Sequence, residues 1–301
     1  MARGVGLIAA AIATVAVVAG CSSGDSGNAQ NAGGDERVSV VASTNVYGDI
    51  ARQIGGDDVS VTSIISDPAQ DPHSFEADTR TKLAISRADV VIKNGGGYDD
   101  FVTSMAKGSK ATVLDAVTVS GKKAPAGGEL NEHVWYDFPS MRALAGRLAE
   151  ALGKADPAGR AAFTANAAKF DSSLAQLETT EARIAAAHRG EGVAITEPVP
   201  LYLLQACGLV NRTPAEFSEA VEEGEDVPVG VLNETLNLFK NKRVALLAYN
   251  EQTSGAETER VEKAARDNGV AVVPVTETLP AGKTYRTWMQ ANLAAVQAAL
   301  D

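Results

Sequence analysis

The segment DPAGRAAFTANAAKFDSSLAQLETTEARIAAAHRG, residues 156–190, carries the longest periodic pattern in the chain. Asp156 and Pro157 signal a helix start, because Asp can cap free N–H groups and Pro is tolerated in the first turn. Apolar residues follow in alternating steps of four and three, with one skipped position at Glu181: Phe163, Ala167, Phe170, Leu174, Leu177 and Ile184. The pattern predicts a continuous helix of about 30 residues, roughly 45 Å long.

Strand-like runs lie on both sides of this helix, and helical segments separate them. The strand-like runs are residues 38–43, 59–65 and 89–93 before the helix and residues 192–195, 243–249 and 270–275 after it. Such alternation is typical of a parallel sheet with helices on its faces. We therefore predict an α/β fold with two lobes, each a mainly parallel sheet with flanking helices, joined by one long rigid helix.

The N-terminus has the features of an export signal. Arg3 precedes an apolar run of about 14 residues, which is too short to span a bilayer core of roughly 20 residues. Small residues precede Cys21, as in a bacterial lipobox, so we expect a lipid on Cys21. The alternative is an ordinary secretory signal that happens to contain a cysteine.

These features divide the chain into five parts. We expect a signal peptide over residues 1–20, a lipidated Cys21 with a flexible tether over 21–37, a first lobe over 38–155, a linker helix over 156–190 and a second lobe over 191–301. The tether is rich in Ser, Gly and Asn and has no apolar periodicity, so it cannot order itself by burial. The other cysteine, Cys207, lies in an apolar run and is expected to be a buried, unpaired residue.

Four side chains are candidates for a metal site. His73 and His133 lie in predicted loops of the first lobe, and each has an aromatic and an acidic residue nearby. Glu197 and Glu277 follow strands of the second lobe, where residues at the carboxyl edge of a parallel sheet face a cleft. Each residue alone has an ordinary explanation, as a solvated loop histidine or as an acid at a helix N-terminus. Together, two imidazoles and two carboxylates suit Zn²⁺ or Mn²⁺.

Motifs along the chain resemble one family, the substrate-binding proteins of bacterial zinc and manganese ABC importers. The motifs are residues 45–50, 71–76, 88–95 with Tyr98, 132–135, 251–253 and 285–300. They occur in the family's order and cover nearly all of the chain after the tether.

The resemblance implies two lobes joined by a rigid helix, with one Zn²⁺ or Mn²⁺ ion bound between them as cargo. His73 and His133 fall on the family's two first-lobe histidines. Glu197 falls on the third ligand position, and Glu277 falls where the family usually has Asp. The implied partner is an ABC importer permease. We therefore expect a lipid-anchored monomer on the extracytoplasmic face of the cell membrane.

The sequence also bears on three other classes of function: nucleic-acid binding, zinc-dependent hydrolysis, and binding of an organic solute or iron chelate. A net charge of −11 argues against nucleic acid as a partner, because binding to nucleic acid needs a basic face. A zinc-dependent hydrolase would need a general base, for which Glu251 is the one candidate. A receptor for an organic solute or iron chelate could use Trp135 and Tyr136 as aromatic platforms. No HExxH motif or nucleophile elbow occurs in the sequence, and four protein ligands would leave little room for a substrate, so we expect the protein not to be an enzyme.

Overall fold

The computed structural model describes residues 37–67, 72–73, 75–126 and 128–301. The predicted signal peptide, Cys21 and all of the predicted tether except Arg37 lie outside these ranges. Among the described helices, none is both long enough and apolar enough to cross a membrane.

The first lobe is a four-stranded parallel sheet with the order β2-β1-β3-β4. Its central strands are buried on both faces, which explains their continuous apolar sequences. The elements are β1 Val38–Thr44, α1 Asn45–Gly55, β2 Val59–Ile65, α2 Thr79–Arg87, β3 Val90–Lys93, α3 Asp100–Met105, β4 Thr112–Asp115, α4 Ala116–Ser120 and α5 Phe138–Ala155. Helix α5 begins after Asp137, whose carboxylate accepts a hydrogen bond from the Ser140 amide at 3.0 Å.

The linker helix α6 spans Arg160–His188. It begins four residues after Asp156, because the Asp156 carboxylate accepts the amides of Ala158 and Gly159 and forms a separate turn before the helix. The predicted apolar stripe is buried except for Ala167, which is partly buried, and the skipped position, Glu181, is buried with it. Helix α6 packs against α1 and α5 of the first lobe.

The second lobe repeats the parallel arrangement with the order β6-β5-β7-β8. Its elements are β5 Gly192–Ile195, α7 Leu201–Ala206, β6 Val210–Asn211, α8 Ala215–Glu222, α9 Val229–Lys240, β7 Leu246–Asn250, α10 Ala256–Asp267, β8 Ala271–Val275 and α11 Tyr285–Leu300. Helices α7 and α11 also pack against α6. Cys207 is buried and unpaired, as predicted.

The last helix connects the lobes directly. The Tyr285 amide donates to Asp49 Oδ2 of α1 at 2.7 Å, and the Tyr285 hydroxyl donates to the Trp135 carbonyl at 2.5 Å. The Asn45 side chain accepts from the Leu279 amide at 2.8 Å and donates to the Leu279 carbonyl at 2.9 Å. One apolar core is continuous through the first lobe, α6 and the inner face of the second lobe. The predicted two-lobe α/β fold is confirmed.

Candidate metal centre

The carboxyl edge of the second sheet places three polar residues side by side. Glu197 follows β5 by two residues, Glu277 follows β8 by two, and Asn250 ends β7, which lies between those strands. All three side chains are buried. A buried carboxylate is costly unless it is hydrogen-bonded or bound to a cation, so this edge indicates a binding site.

Asn250 joins the two carboxylates. Its Nδ2 group donates one hydrogen bond to Glu197 Oε2 and another to Glu277 Oε1, the latter at 3.0 Å. The amide orientation is fixed because Asn250 Oδ1 accepts the Gln252 backbone N–H at 3.1 Å. Glu197 Oε1 is buried and makes no short hydrogen bond in the described chain, and the Thr253 side chain interacts with the same carboxylate and lowers its pKa.

The first lobe presents His133 from the loop between α4 and α5. Asn131 Oδ1 lies 2.8 Å from His133 Nδ1, while Asn131 Nδ2 donates to the Pro198 carbonyl at 3.0 Å. The oxygen of Asn131 therefore faces the ring, so in the neutral imidazole the proton lies on Nδ1 and the lone pair on Nε2. That Nε2 atom is buried without a hydrogen-bond partner in the described chain. Such an atom could serve as a ligand to a cation.

Two features of the first sheet hold this loop. Asn94, the residue after β3, donates to the Glu132 carbonyl at 3.0 Å. Gly96 has φ +69°, and a Cβ built there would lie 3.0 Å from the Glu132 Cβ and 3.2 Å from Val117. The three-glycine turn, residues 95–97, thus allows a close approach of the backbone.

Glu277 connects the histidines across the cleft. Its Oε2 atom lies 3.5 Å from His73 Nε2 and 3.8 Å from His133 Nε2, and it accepts a hydrogen bond from the Tyr98 hydroxyl at 3.1 Å. Ligand atoms at a tetrahedral Zn²⁺ site are about 3.3 Å apart, given metal–ligand distances of roughly 2.0–2.1 Å. The observed separations are close to that spacing.

Two further carboxylates approach from the outer side. Glu222, the last residue of α8, places Oε1 3.6 Å from His133 Nε2, and this oxygen is buried without a hydrogen-bond partner in the described chain. Ligand atoms of His73, Glu132, His133 and Glu222 all lie within 4.8 Å of one another. The site therefore has an outer pair of carboxylates, Glu132 and Glu222, besides the inner pair at the sheet edge.

The pKa values reflect this concentration of charge. Burial and the neighbouring Glu277 raise the pKa of Glu197 to about 7, and burial raises the pKa of Glu222 to about 7. Burial alone would raise the pKa of Glu277, but the two imidazoles outweigh it and hold that pKa well below its usual range. Burial opposes the charge on His73, yet the carboxylate of Glu277 raises its pKa to about 9. A divalent cation would replace these protons as the positive charge.

The mouth of the site is open and acidic. Two cavities of about 500 and 730 Å³ adjoin His73. The acidic rim, which we define as five residues lining the larger cavity, consists of Glu129, Glu132, Glu219, Glu222 and Glu223. His73 is partly exposed at this mouth, whereas His133 is buried behind it. Negative charge around an opening raises the local concentration of cations.

Of the four predicted ligands, the structure brings His73, His133 and Glu277 into direct proximity. Glu197 meets them through Asn250. Sequence reasoning missed Glu132 and Glu222 as possible ligands, and it missed Asn250 and Asn131 as the residues that orient the others. The third histidine, His188, precedes β5 and pairs with Glu191 and Asp301, so it lies at the opposite edge of the sheet.

The residues considered for a hydrolase or for an organic-solute receptor are not positioned for those functions. Glu251, the candidate base of a hydrolase, is exposed, whereas the preceding Asn250 is buried between the carboxylates. Trp135 and Tyr136 are buried, and their rings pack against His133 and Trp288 respectively. Neither ring therefore offers a free platform to an organic solute.

Comparison with known proteins gives the family. Residues 40–299 match the family described as ZnuA, Zinc-uptake complex component A periplasmic. The chain belongs to this family. The match covers both lobes and the linker, and it confirms the resemblance indicated by the motifs.

Named relatives differ in the metal that their names state. The manganese-binding lipoprotein MntA of Bacillus subtilis is 27% identical over 179 residues, which cover 58% of this chain and 57% of MntA. The iron ABC transporter substrate-binding lipoprotein MtsA of Streptococcus pyogenes serotype M1 is 22% identical over 97% of each chain. The periplasmic zinc-binding protein TroA of Treponema pallidum shares the fold, with a TM-score of 0.75, 20% identity and coverage of 88% of this chain and 99% of TroA.

Proposed function

We propose that this protein is an extracytoplasmic receptor that binds one divalent transition-metal ion between its lobes and delivers it to an ABC importer permease. The observation that carries the proposal is the pair of imidazole Nε2 atoms that face a single carboxylate oxygen, Glu277 Oε2, across the cleft at 3.5 and 3.8 Å. Membership of the zinc-uptake family supports the same conclusion.

We assign the cation to His73, His133, Glu197 and Glu277. Two imidazoles and two carboxylates would neutralise a divalent ion, so it could lose its water without leaving net charge buried. Glu222 adds negative charge on the outer side of this set, with its Oε1 atom 3.6 Å from His133 Nε2. The relatives named for manganese, iron and zinc leave several cations open, and ligand types alone select weakly among them.

Cys21 is the proposed point of attachment to the membrane. Its lipobox-like context in this sequence and the names of the lipoprotein relatives support a diacylglyceryl anchor. We propose a monomer, a position on the extracytoplasmic face of the cell membrane and no enzymatic activity, in keeping with a family named for uptake.

The test is metal binding by the purified full chain, measured by equilibrium competition for Zn²⁺ and Mn²⁺. We expect one ion per chain, and His133→Ala should lower the affinity at least about tenfold. His188→Ala is the matched control, because it removes an imidazole at the opposite edge of the sheet. Equal affinities of the His133→Ala and native proteins would overturn the assignment. Metal-dependent hydrolysis of an ester or phosphoester, lost in Glu251→Gln, would establish the enzyme instead.

A further inference from the structure

The two inner carboxylates are not equally available at both of their oxygens. Asn250 Nδ2 occupies Oε2 of Glu197 and Oε1 of Glu277. The oxygens that Asn250 does not bind are Glu197 Oε1, which is buried on a carboxylate that also interacts with the Thr253 side chain, and Glu277 Oε2, which faces both imidazoles and accepts the Tyr98 hydroxyl at 3.1 Å. Each carboxylate thus has one oxygen bound by the Asn250 amide and one that Asn250 does not bind.

This arrangement cannot be reversed by a simple flip of the Asn250 amide. Its Oδ1 atom accepts the Gln252 backbone N–H, so exchanging oxygen and nitrogen would set two N–H groups against each other and an oxygen against two carboxylates. The side chain is fully buried, so water cannot readily replace it. The Glu277 backbone is fixed separately, because Gln252 Oε1 accepts the Glu277 and Thr278 amides at 2.5 and 3.3 Å.

We infer that Asn250 is a specificity-determining residue that restricts Glu197 and Glu277 to one metal-binding oxygen each. This inference rests on the proposed function and goes beyond it, because it concerns which cation the site prefers. Two imidazole nitrogens and two single oxygens make four ligands, which is the number that Zn²⁺ takes in closed protein sites. Mn²⁺ prefers six ligands with oxygen predominant, and bidentate carboxylates are one way to supply them. Holding one oxygen of each carboxylate therefore favours Zn²⁺ over Mn²⁺.

Asn250→Leu is the principal test, because leucine branches at Cγ as asparagine does and has no side-chain N–H group. Both carboxylates would be free to bind through two oxygens. We expect the ratio of the Mn²⁺ and Zn²⁺ dissociation constants to move at least about tenfold toward Mn²⁺. X-ray absorption of the metal-loaded variant should show more than the four nitrogen and oxygen ligands expected for the Zn²⁺-loaded native protein. Asn250→Ala provides a second variant if leucine prevents folding, which thermal unfolding would reveal.

Gln252→Leu is the matched control. It removes the side chain that fixes the Glu277 backbone without releasing a carboxylate oxygen, so it should weaken Zn²⁺ and Mn²⁺ binding alike and leave their ratio unchanged. If folded Asn250→Leu keeps the native ratio and coordination number, the inference is wrong, although the proposed function stands. If the native chain binds neither cation, the proposed function itself fails. A native site with five or more ligands would also refute the inference.

Discussion

Asn131 and His133 form a hydrogen-bonded pair that orients one imidazole toward the cleft. Asn131 Oδ1 lies 2.8 Å from His133 Nδ1 and also accepts the His133 backbone amide at 3.0 Å. The other end of the same amide binds the Pro198 carbonyl, next to Glu197. A single side chain therefore fixes the tautomer of a first-lobe ligand and contacts the second-lobe strand end.

Asn131→Leu should lower metal affinity by about 10- to 100-fold, because the ring would lose the acceptor that keeps its proton on Nδ1. Asn131→Asp keeps the acceptor and should retain most of the affinity. Competition titrations of both variants, with circular dichroism as a check on folding, provide the measurement. Equal losses in the two variants would show that the Pro198 contact matters more than the tautomer.

Glu222→Gln tests the outer carboxylate. Because Glu222 Oε1 lies 3.6 Å from His133 Nε2, we expect this change to weaken binding about tenfold. Glu223→Gln removes the same charge from the adjacent exposed residue and should have a much smaller effect. Stopped-flow measurements would show whether Glu222 acts on the bound cation, which would change the dissociation rate, or through the field of the acidic rim, which would change the association rate. Identical behaviour of the variants would mean that the acidic rim acts only through its overall field.

Metal binding should release protons at neutral pH. The pKa of His73 is raised to about 9, so the metal-free protein holds a proton there at about pH 7.5, and the cation must displace it. The pKa values of Glu197 and Glu222 are raised to about 7, so both carboxyls increasingly hold protons as the pH falls below that value. Affinity should therefore fall steadily from about pH 7.5 to about pH 5.5.

Isothermal titration in buffers with different heats of ionisation measures this proton release. We expect about one proton or more per metal ion at about pH 7.5, and fewer in His73→Ala. Heats that do not depend on the buffer, or an affinity that does not change with pH, would contradict imidazole ligation.

Glu181 in α6 makes stability depend on pH. Burial and the nearby Glu178 and Asp137 raise the pKa of Glu181 to about 8, above the value of about 4.3 expected in the unfolded chain. The folded state therefore binds this proton more tightly, and the stability that it contributes is complete below about pH 4 and is lost as the pH rises through about 8. Glu181→Gln should be more stable than the native protein at about pH 9, by about 1–3 kcal/mol, with a smaller difference near pH 5.

Thermal unfolding of both proteins at the two pH values gives the measurement. Glu216→Gln, which removes an exposed charge from α8, is the control and should not change the pH dependence. A Glu181→Gln difference that is the same at both pH values would show that this carboxyl does not titrate on unfolding.

Much of the fold could be predicted because buried parallel strands have continuous apolar sequences and α6 has a clear periodic stripe. Strands β4 and β6 were missed because they are short edge strands, with several exposed or half-buried residues, and lack that pattern. Helix α6 begins later than the sequence predicts. The Asp156 carboxylate, which could have capped the helix, instead accepts the amides of Ala158 and Gly159 in the turn before it.

The site was only partly predictable. The rule that located Glu197 and Glu277 at strand ends also applies to Asn250, which ends the strand between them, so that residue could have been found. Glu222 had no such signal, because it opens an acidic run, residues 222–226, in which the sequence does not distinguish one carboxylate from another. Only the packing of α8 against the mouth of the site makes it different.

The Asn45–Leu279 and Asp49–Tyr285 hydrogen bonds have a consequence for any attempt to study the halves of this protein separately. They hold Leu279 and Tyr285, which both follow Glu277 in the sequence, so this proposed ligand is anchored to α1 although its strand belongs to the other sheet. A split molecule divided within α6 would leave both histidines on one fragment and both inner carboxylates on the other. Each fragment would also expose part of the shared apolar core. The complete set of donor atoms therefore exists only in the intact chain. Two co-expressed fragments would form it only if they also re-formed the shared apolar core.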